Sequence, residues 1–284
     1  MIAGGEGPEI HNTSPCRYRA FTSRGCLQGF DFLGMVGQYN IFTQAIDFSG
    51  KNVGVGLSGG INSAAVLCWL ADLPAERRPA KVALVYCHFR EHSPDTARFV
   101  FDLVRFARSA FENVILRVYR GSILDYFENE RFIPHPRFSP CTQDLKLARI
   151  ADFYIANGVT IDLIGYVRTE RNRIRRQGKA RQGKAMQAFA VLYPIQDFDD
   201  DACIAVCMDK IGWVPAIYGI KDASGRRIFR HNNCLPCKNM EASDLDNVRL
   251  FFPEYYANAM ILANKIGSYW GRDKERGTCG TCEF

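Results

Sequence analysis

The sequence predicts an α/β protein built on a parallel sheet, and three observations predict it. Apolar runs of strand length at 53–57, 81–87, 114–118 and 161–165 alternate with segments of helical periodicity. The first run, Val53-Gly54-Val55-Gly56-Leu57, leads straight into Ser58-Gly59-Gly60-Ile61-Asn62-Ser63 and then an apolar helix. The chain of 284 residues can bury a substantial core, yet no apolar run is long enough to span a bilayer. Strands alternating with helices form parallel sheets through right-handed crossovers, and such sheets bind ligands beyond the carboxyl ends of their strands.

In chain order, residues 1–50 begin with glycines and small polar residues and continue with Phe30, Phe32, Leu33, Tyr39, Ile41 and Phe42. They read as an extension packed on the core. In the turn after the first strand, Gly59 and Gly60 allow close backbone approach, and Ser58 and Ser63 add hydroxyls. A helix from about Ala64 to Leu73 aims its positive end at the same point, which makes a phosphate site; glycines serving packing alone are the plainer alternative. The turn is not a Walker loop, since no G-x-x-x-x-G-K-[ST] is present. Lys81–Cys87 reads as the second strand. The following helix starts near Pro94 with Ser93 as N-cap and carries Phe99, Leu103, Phe106 and Ala107 at helical spacing. Val114–Val118 and Ile161–Gly165 are the third and fourth strands, and Phe251–Trp270 is a late helix with Pro253 near its start.

Charge is concentrated. The formal net charge is +6, and Arg168 to Lys184 holds eight cations against one acid, Glu170, so this segment carries the whole excess. It suits closure over a nucleotide, contact with a nucleic-acid backbone, or simple solvation. Eleven cysteines in a chain without a signal-peptide pattern imply a reducing, cytoplasmic setting and metal or thiol chemistry in preference to disulfides. Cys234-x-x-Cys237 and Cys279-x-x-Cys282 could together close a zinc site or supply an iron–sulfur cluster. Cys68, Cys87, Cys203 and Cys207 lie in apolar stretches and read as core, Cys16 and Cys26 as ordinary thiols. His11, His88 and His135 have no ligand-like spacing.

The S-G-G-x-x-S turn after a first strand resembles the PP-loop of the adenine nucleotide alpha hydrolase superfamily. Glu91-His92-Ser93-Pro94-Asp95-Thr96, Cys141-Thr142-Gln143-Asp144-Leu145-Lys146, Gly165 to Arg173, Tyr193-Pro194-Ile195-Gln196-Asp197 and Ile217-Tyr218-Gly219 follow in the order of motifs in the phosphoadenosine phosphosulfate (PAPS) reductase family. The style is similar to its members from phages and mobile elements. This resemblance implies a Rossmann-like PP-loop domain over 51–220, with a cysteine-rich region over 221–284 carrying a helix and a tail. It implies an enzyme of sulfur metabolism acting on ATP or PAPS, either a sulfonucleotide reductase or an ATP-dependent sulfurtransferase. Ser58, Gly59, Gly60, Asn62, Ser63, Gly165, Arg168 and Arg173 would hold the nucleotide.

By the same resemblance Cys141, Cys234 and Cys237 would bind a four-iron four-sulfur cluster, with Cys279, Cys282, His231 or an exchangeable sulfide as fourth ligand. Zinc bound by the two Cys-x-x-Cys pairs is the alternative. Cys279 or Cys282 would be the nucleophilic thiol, with Lys146 beside the chemistry. Partners would be a nucleic-acid acceptor on the basic segment and a thiol reductant or cysteine desulfurase. Asn62 stands where ATP-cleaving members carry Asp, and a neutral amide is a poorer Mg²⁺ ligand. Thr142 stands where cluster-bearing reductases have a second adjacent cysteine. The terminal Cys-Gly-Thr-Cys also resembles the zinc motif of PP-loop deazapurine synthases, and Asn62 also suits a retired site kept as a binding module.

Overall fold

The computed structural model describes residues 46–134, 138–177, 186, 188–240 and 242–270. Its centre is a five-stranded, wholly parallel sheet in the order β3-β2-β1-β4-β5. The strands are β1 (Asn52–Leu57), β2 (Lys81–Phe89), β3 (Val114–Gly121), β4 (Ile161–Leu163) and β5 (Ala190–Leu192). Consecutive strands run outward from β1 to β3, and the chain then crosses back to lay β4 on the other side of β1. The strand order therefore reverses beside β1, the place where parallel sheets of this kind open a ligand crevice at their carboxyl ends. The expected fold class is the observed one.

Helices cover both faces. α1 (Ile61–Ala71) is apolar all round and buried from Ser63 to Leu70, as a helix enclosed by protein must be. It packs on α6 (Asp200–Ile211), with Cys68, Cys203 and Cys207 all buried, and Cys87 of β2 is buried too. α2 (Thr96–Ala110) is amphipathic, burying Phe99, Val100, Leu103, Val104 and Ala107 on one stripe. After β3 come α3 (Ile123–Glu130) and a helical stretch made of Pro140–Thr142, π-helical Gln143–Leu147 and α4 (Ala148–Ala156). α5 (Arg171–Gln177) follows β4, and α7 (Ala242–Phe251) and α8 (Pro253–Lys265) close the described chain. Gly54 of β1 lies under the Tyr154 ring of α4; a Cβ there would stand 2.3 Å from a ring carbon, so only glycine lets α4 sit this close to the sheet.

β2 and β3 run on to Phe89 and Gly121, the late helix spans only Pro253–Lys265, and three further differences from the sequence reading shape the site. α1 starts at Ile61, three residues early, because Gly60 is already the extended N-cap (φ −94°, ψ 163°), which puts Asn62 and Ser63 in the first turn. α2 starts at Thr96 with Asp95 as N-cap, because the Ser93 hydroxyl is committed elsewhere. β4 stops at Leu163, where the chain turns to bring Gly165 against the backbone of Asn62. The expected packing of the 1–50 extension lies outside the described residues up to position 45. Beyond it, Phe48 is buried edge-on against Trp69 with ring centres 6.2 Å apart.

Candidate functional site

At the carboxyl end of β1 the turn is held by its own hydroxyls. Ser63 Oγ accepts from Ser58 N at 3.2 Å and donates to Gly60 O at 3.1 Å, and Ser58 Oγ accepts from Gly60 N at 3.2 Å. Ser58 and Ser63 are themselves 3.1 Å apart, Oγ to Oγ. Gly59 sits at φ +79°, where a Cβ would be 2.2 Å from Thr96 Cγ2, so both conformation and space demand glycine. Gly165 is required by space alone, since its Cβ would fall 2.7 Å from Asn62 O. Ile61 N donates to the Tyr218 hydroxyl at 3.2 Å. The N–H groups of Gly59, Asn62 and Ser63 have no acceptor among the described residues, and they sit at the positive end of α1.

The Cys-x-x-Cys segment is fastened to this turn. Asn232 Nδ2 donates to Gly59 O and to Thr96 Oγ1, both at 2.9 Å, while its Oδ1 accepts from Ser93 Oγ at 3.0 Å. Asn232 N donates to the Tyr218 hydroxyl at 3.1 Å, so one phenol oxygen accepts from both the turn and the cysteine segment. Burial raises the Tyr218 pKa above the ordinary phenol value, which keeps it neutral for that role. Two residues beyond Asn232 stands Cys234. Leu235 N then donates to Glu91 O at 2.7 Å. The Glu91 carboxylate, itself buried, accepts from Ser122 Oγ at 2.6 Å and from Ile123 N at 2.9 Å, at the start of α3. Sequence reasoning missed Asn232, Tyr218 and Ser93 as site residues, because what joins them is contact across more than a hundred residues of chain.

Cys141, Cys234 and Cys237 all act electrostatically on Lys146. Cys141 and Lys146 come from the π-helical stretch and the turn before it, a geometry that often marks functional sites. Burial works to lower the Lys146 pKa, but Cys234, Cys237, Cys141 and Cys87 together outweigh it and the net direction is upward. Burial pushes the Cys234 thiol up to about 12 and raises Cys141 as well, with Lys146 opposing both. Lys146 Nζ lies 5.4 Å from the centre of the Phe89 ring. Lys238 is buried next to Cys237 and donates to Phe138 O at 2.8 Å. Among the described residues no group of three or more His, Cys, Asp or Glu is drawn together tightly enough to hold a metal ion. The donors are cysteine sulfurs, soft ligands once deprotonated, and such sulfur suits an iron–sulfur cluster or zinc.

The remaining candidates are placed as follows. Arg168 donates to Asp197 O from Nε at 3.2 Å and from a terminal nitrogen at 2.8 Å. Arg173 pairs with Glu170 and lies over the Tyr166 ring at 4.7 Å. Both guanidiniums are thus engaged with protein groups near the crevice. His231 is exposed. Cys279 and Cys282, His11 and His135, and positions 178–185 of the basic segment lie outside the described residues.

No family model and no curated protein matches the chain. Among solved structures it is similar to the U34-tRNA thiolase NcsA from Methanococcus maripaludis with its [4Fe-4S] cluster, at 14% identity, 88% of this chain, 84% of that chain and TM-score 0.48. It is similar to the NH3-dependent NAD synthetase from Campylobacter jejuni, at 14% identity, 84% of this chain, 94% of that chain and TM-score 0.41. It is also similar to the PAPS reductase from Candida auris, at 15% identity, 64% of this chain, 79% of that chain and TM-score 0.33. By its own strands and helices, the chain is a parallel α/β protein with a glycine turn at the carboxyl end of its first strand.

Proposed function

We propose that this chain is an adenine-nucleotide-binding enzyme of sulfur chemistry, similar in plan to PAPS reductases. The observation that carries the reading is Asn232, whose side chain fastens the Cys234-Leu235-Pro236-Cys237 segment to Gly59 of the glycine turn. A phosphate site and a thiol pocket are thereby held as neighbours. The free N–H groups of Gly59, Asn62 and Ser63 and the positive end of α1 receive phosphate oxygens. Lys146 supplies a cation to whichever anionic sulfur species stands among Cys141, Cys234 and Cys237.

In this reading Cys141, Cys234 and Cys237 with Cys282 would hold a four-iron four-sulfur cluster, because cysteine sulfur is the donor such clusters take. Such a group would supply electron transfer or an exchangeable sulfur. Zinc on the two Cys-x-x-Cys pairs is the competing occupant, and the division into regions 51–220 and 221–284 belongs to the same proposal. Neutral Asn62 favours a reductive version that does not depend on Mg²⁺: a thiolate from Cys279, or from Cys282 where it is not a ligand, attacks the sulfur of PAPS, an S–S bond forms as the S–O bond breaks and adenosine 3',5'-bisphosphate leaves, and a thiol reductant then releases sulfite. The excess of arginines favours the other version, in which ATP activates a nucleic-acid acceptor for sulfur transfer.

The test is calorimetric titration of PAPS and ATP into anaerobically purified protein, followed by assays for sulfite and for pyrophosphate. Binding of either nucleotide in the micromolar range, weakened tenfold or more by Ser63→Ala, is the expected result. Absence of nucleotide binding overturns the proposal. Sulfite from PAPS selects the reductive version, and acceptor-dependent pyrophosphate selects transfer.

A further inference from the structure

The outer strand β3 carries a feature that neither the nucleotide turn nor the thiol pocket uses. β3 is an edge strand of the sheet, and among the described residues no further strand covers its outer side. Along it, Arg117 and Tyr119 alternate onto the face they share with Val85 and Cys87 of β2. Arg117 lies 5.2 Å from the centre of the Tyr119 ring, and Arg149 of α4 reaches the same ring at 5.5 Å. Tyr119 is half-buried, Arg117 exposed and Arg149 half-buried. None of these arginines has a carboxylate partner among the described residues, although Asp152 follows Arg149 by three positions on the same helix. Arg120, exposed on the opposite face of β3, is equally unpaired. By contrast Arg90, Arg105, Arg226 and Arg227 each hold a carboxylate.

Unpaired guanidiniums gathered around one aromatic ring repel one another, and an anionic partner with flat groups relieves that repulsion. A single-stranded nucleic acid has both parts: phosphates for bidentate guanidinium contacts and bases that stack on a ring or a guanidinium plane. The patch also lies beside the proposed chemistry. Arg149 follows Lys146 by three residues, about one helical turn, and both act electrostatically on Cys87. We infer that Arg117, Tyr119 and Arg149 form a docking surface for a single-stranded nucleic acid, placing it next to the Lys146 pocket. The inference rests on the sulfur-chemistry reading only for what the docked strand is used for.

The test titrates the full chain into fluorescein-labelled RNA and DNA single strands of one 12-nucleotide sequence at several salt concentrations, read by anisotropy. Arg117→Gln with Arg149→Gln is expected to weaken binding at least tenfold and to flatten the dependence of log K on log salt by about 1.4, near 0.7 per lost phosphate contact. Tyr119→Leu is expected to weaken binding about tenfold with the salt slope unchanged. Arg226→Gln, at an exposed paired arginine, serves as control and leaves affinity and slope as they were. Wild-type affinity and slope in the double variant overturn the proposal, as does polyglutamate competing as well as the unlabelled oligonucleotide. A preference between the RNA and DNA strands identifies which of the two it serves. ATP and PAPS titrations on the same variants report separately on the nucleotide site.

Discussion

Gly165 and Asp162 show how much a single position on β4 and its following loop decides. Gly165→Ala would drive a Cβ to 2.7 Å from Asn62 O, and backbone rather than a movable side chain is in the way. The expected outcome is a stability loss of about 1–3 kcal/mol together with at least tenfold weaker nucleotide binding, read by thermal unfolding and titration. Asp162 sits opposite Gly54 in the β1–β4 register and close to the Tyr154 hydroxyl, which is buried without a well-formed hydrogen bond. Burial raises the Asp162 carboxyl to about 7, with Tyr154 opposing. A carboxyl raised on folding is stabilising below its unfolded value and loses that contribution as pH rises toward its folded value. Asp162→Asn is therefore expected to raise the melting temperature at pH 8 by several degrees and to leave it almost unchanged at pH 4.

Between elements, the junction of the glycine turn with the 218–238 segment matters most. Asn232→Ala would strip partners from Gly59 O, Thr96 and Ser93 in a buried setting, at a cost of about 2–4 kcal/mol. Tyr218→Phe keeps the ring but leaves Ile61 N and Asn232 N without their acceptor, at about 1–3 kcal/mol. Thermal unfolding checks both costs. Both variants are expected to weaken nucleotide binding, read by titration, whereas a change on the far side of α6 such as Met208→Ala is not. Four of the five strands and the turn were legible in the sequence because each is written locally, in apolar runs, glycines and a helical stripe, whereas β5 is only three residues long and was missed. The start of α1 was misplaced because Asn62 and Ser63 look like loop residues, while the Gly60 cap that admits them to the first turn is a matter of backbone angle. The Asn232 junction was illegible for another reason: its partners lie 173, 136 and 139 residues away, and no periodicity connects them. The Lys146 pocket was legible from motif resemblance to the extent of its cysteines, whereas Glu91 and His92 entered only as motif letters.

For the molecule as a whole, two buried groups set opposing pH responses. His92 is pushed down to about 3 by burial, with Lys146 and His88 adding to the effect. A histidine held neutral on folding contributes stability above its unfolded value near 6.5 and loses it as pH falls toward the folded value. Asp162 loses its contribution in the opposite direction, from about 4 up to about 7. Between pH 4 and 6.5 these two contributions cancel, so their joint effect on stability is flat there. Asp162→Asn is expected to expose the acid sensitivity of His92, and His92→Gln to expose the alkaline sensitivity of Asp162. Denaturant midpoints measured from pH 4 to 8 would show each slope, and parallel curves for parent and variants would refute the assignment. The Asn232 junction has a further consequence, one of timing. A ribosome delivers Gly59 long before Tyr218 and Asn232, and loop closure over that distance cannot begin until both have emerged. Until then the turn lacks the phenol and the amide that fix it. The proposed nucleotide site is thus finished only after position 232 has emerged, and a nascent chain halted before position 218 carries the whole glycine motif without the contacts that fix it.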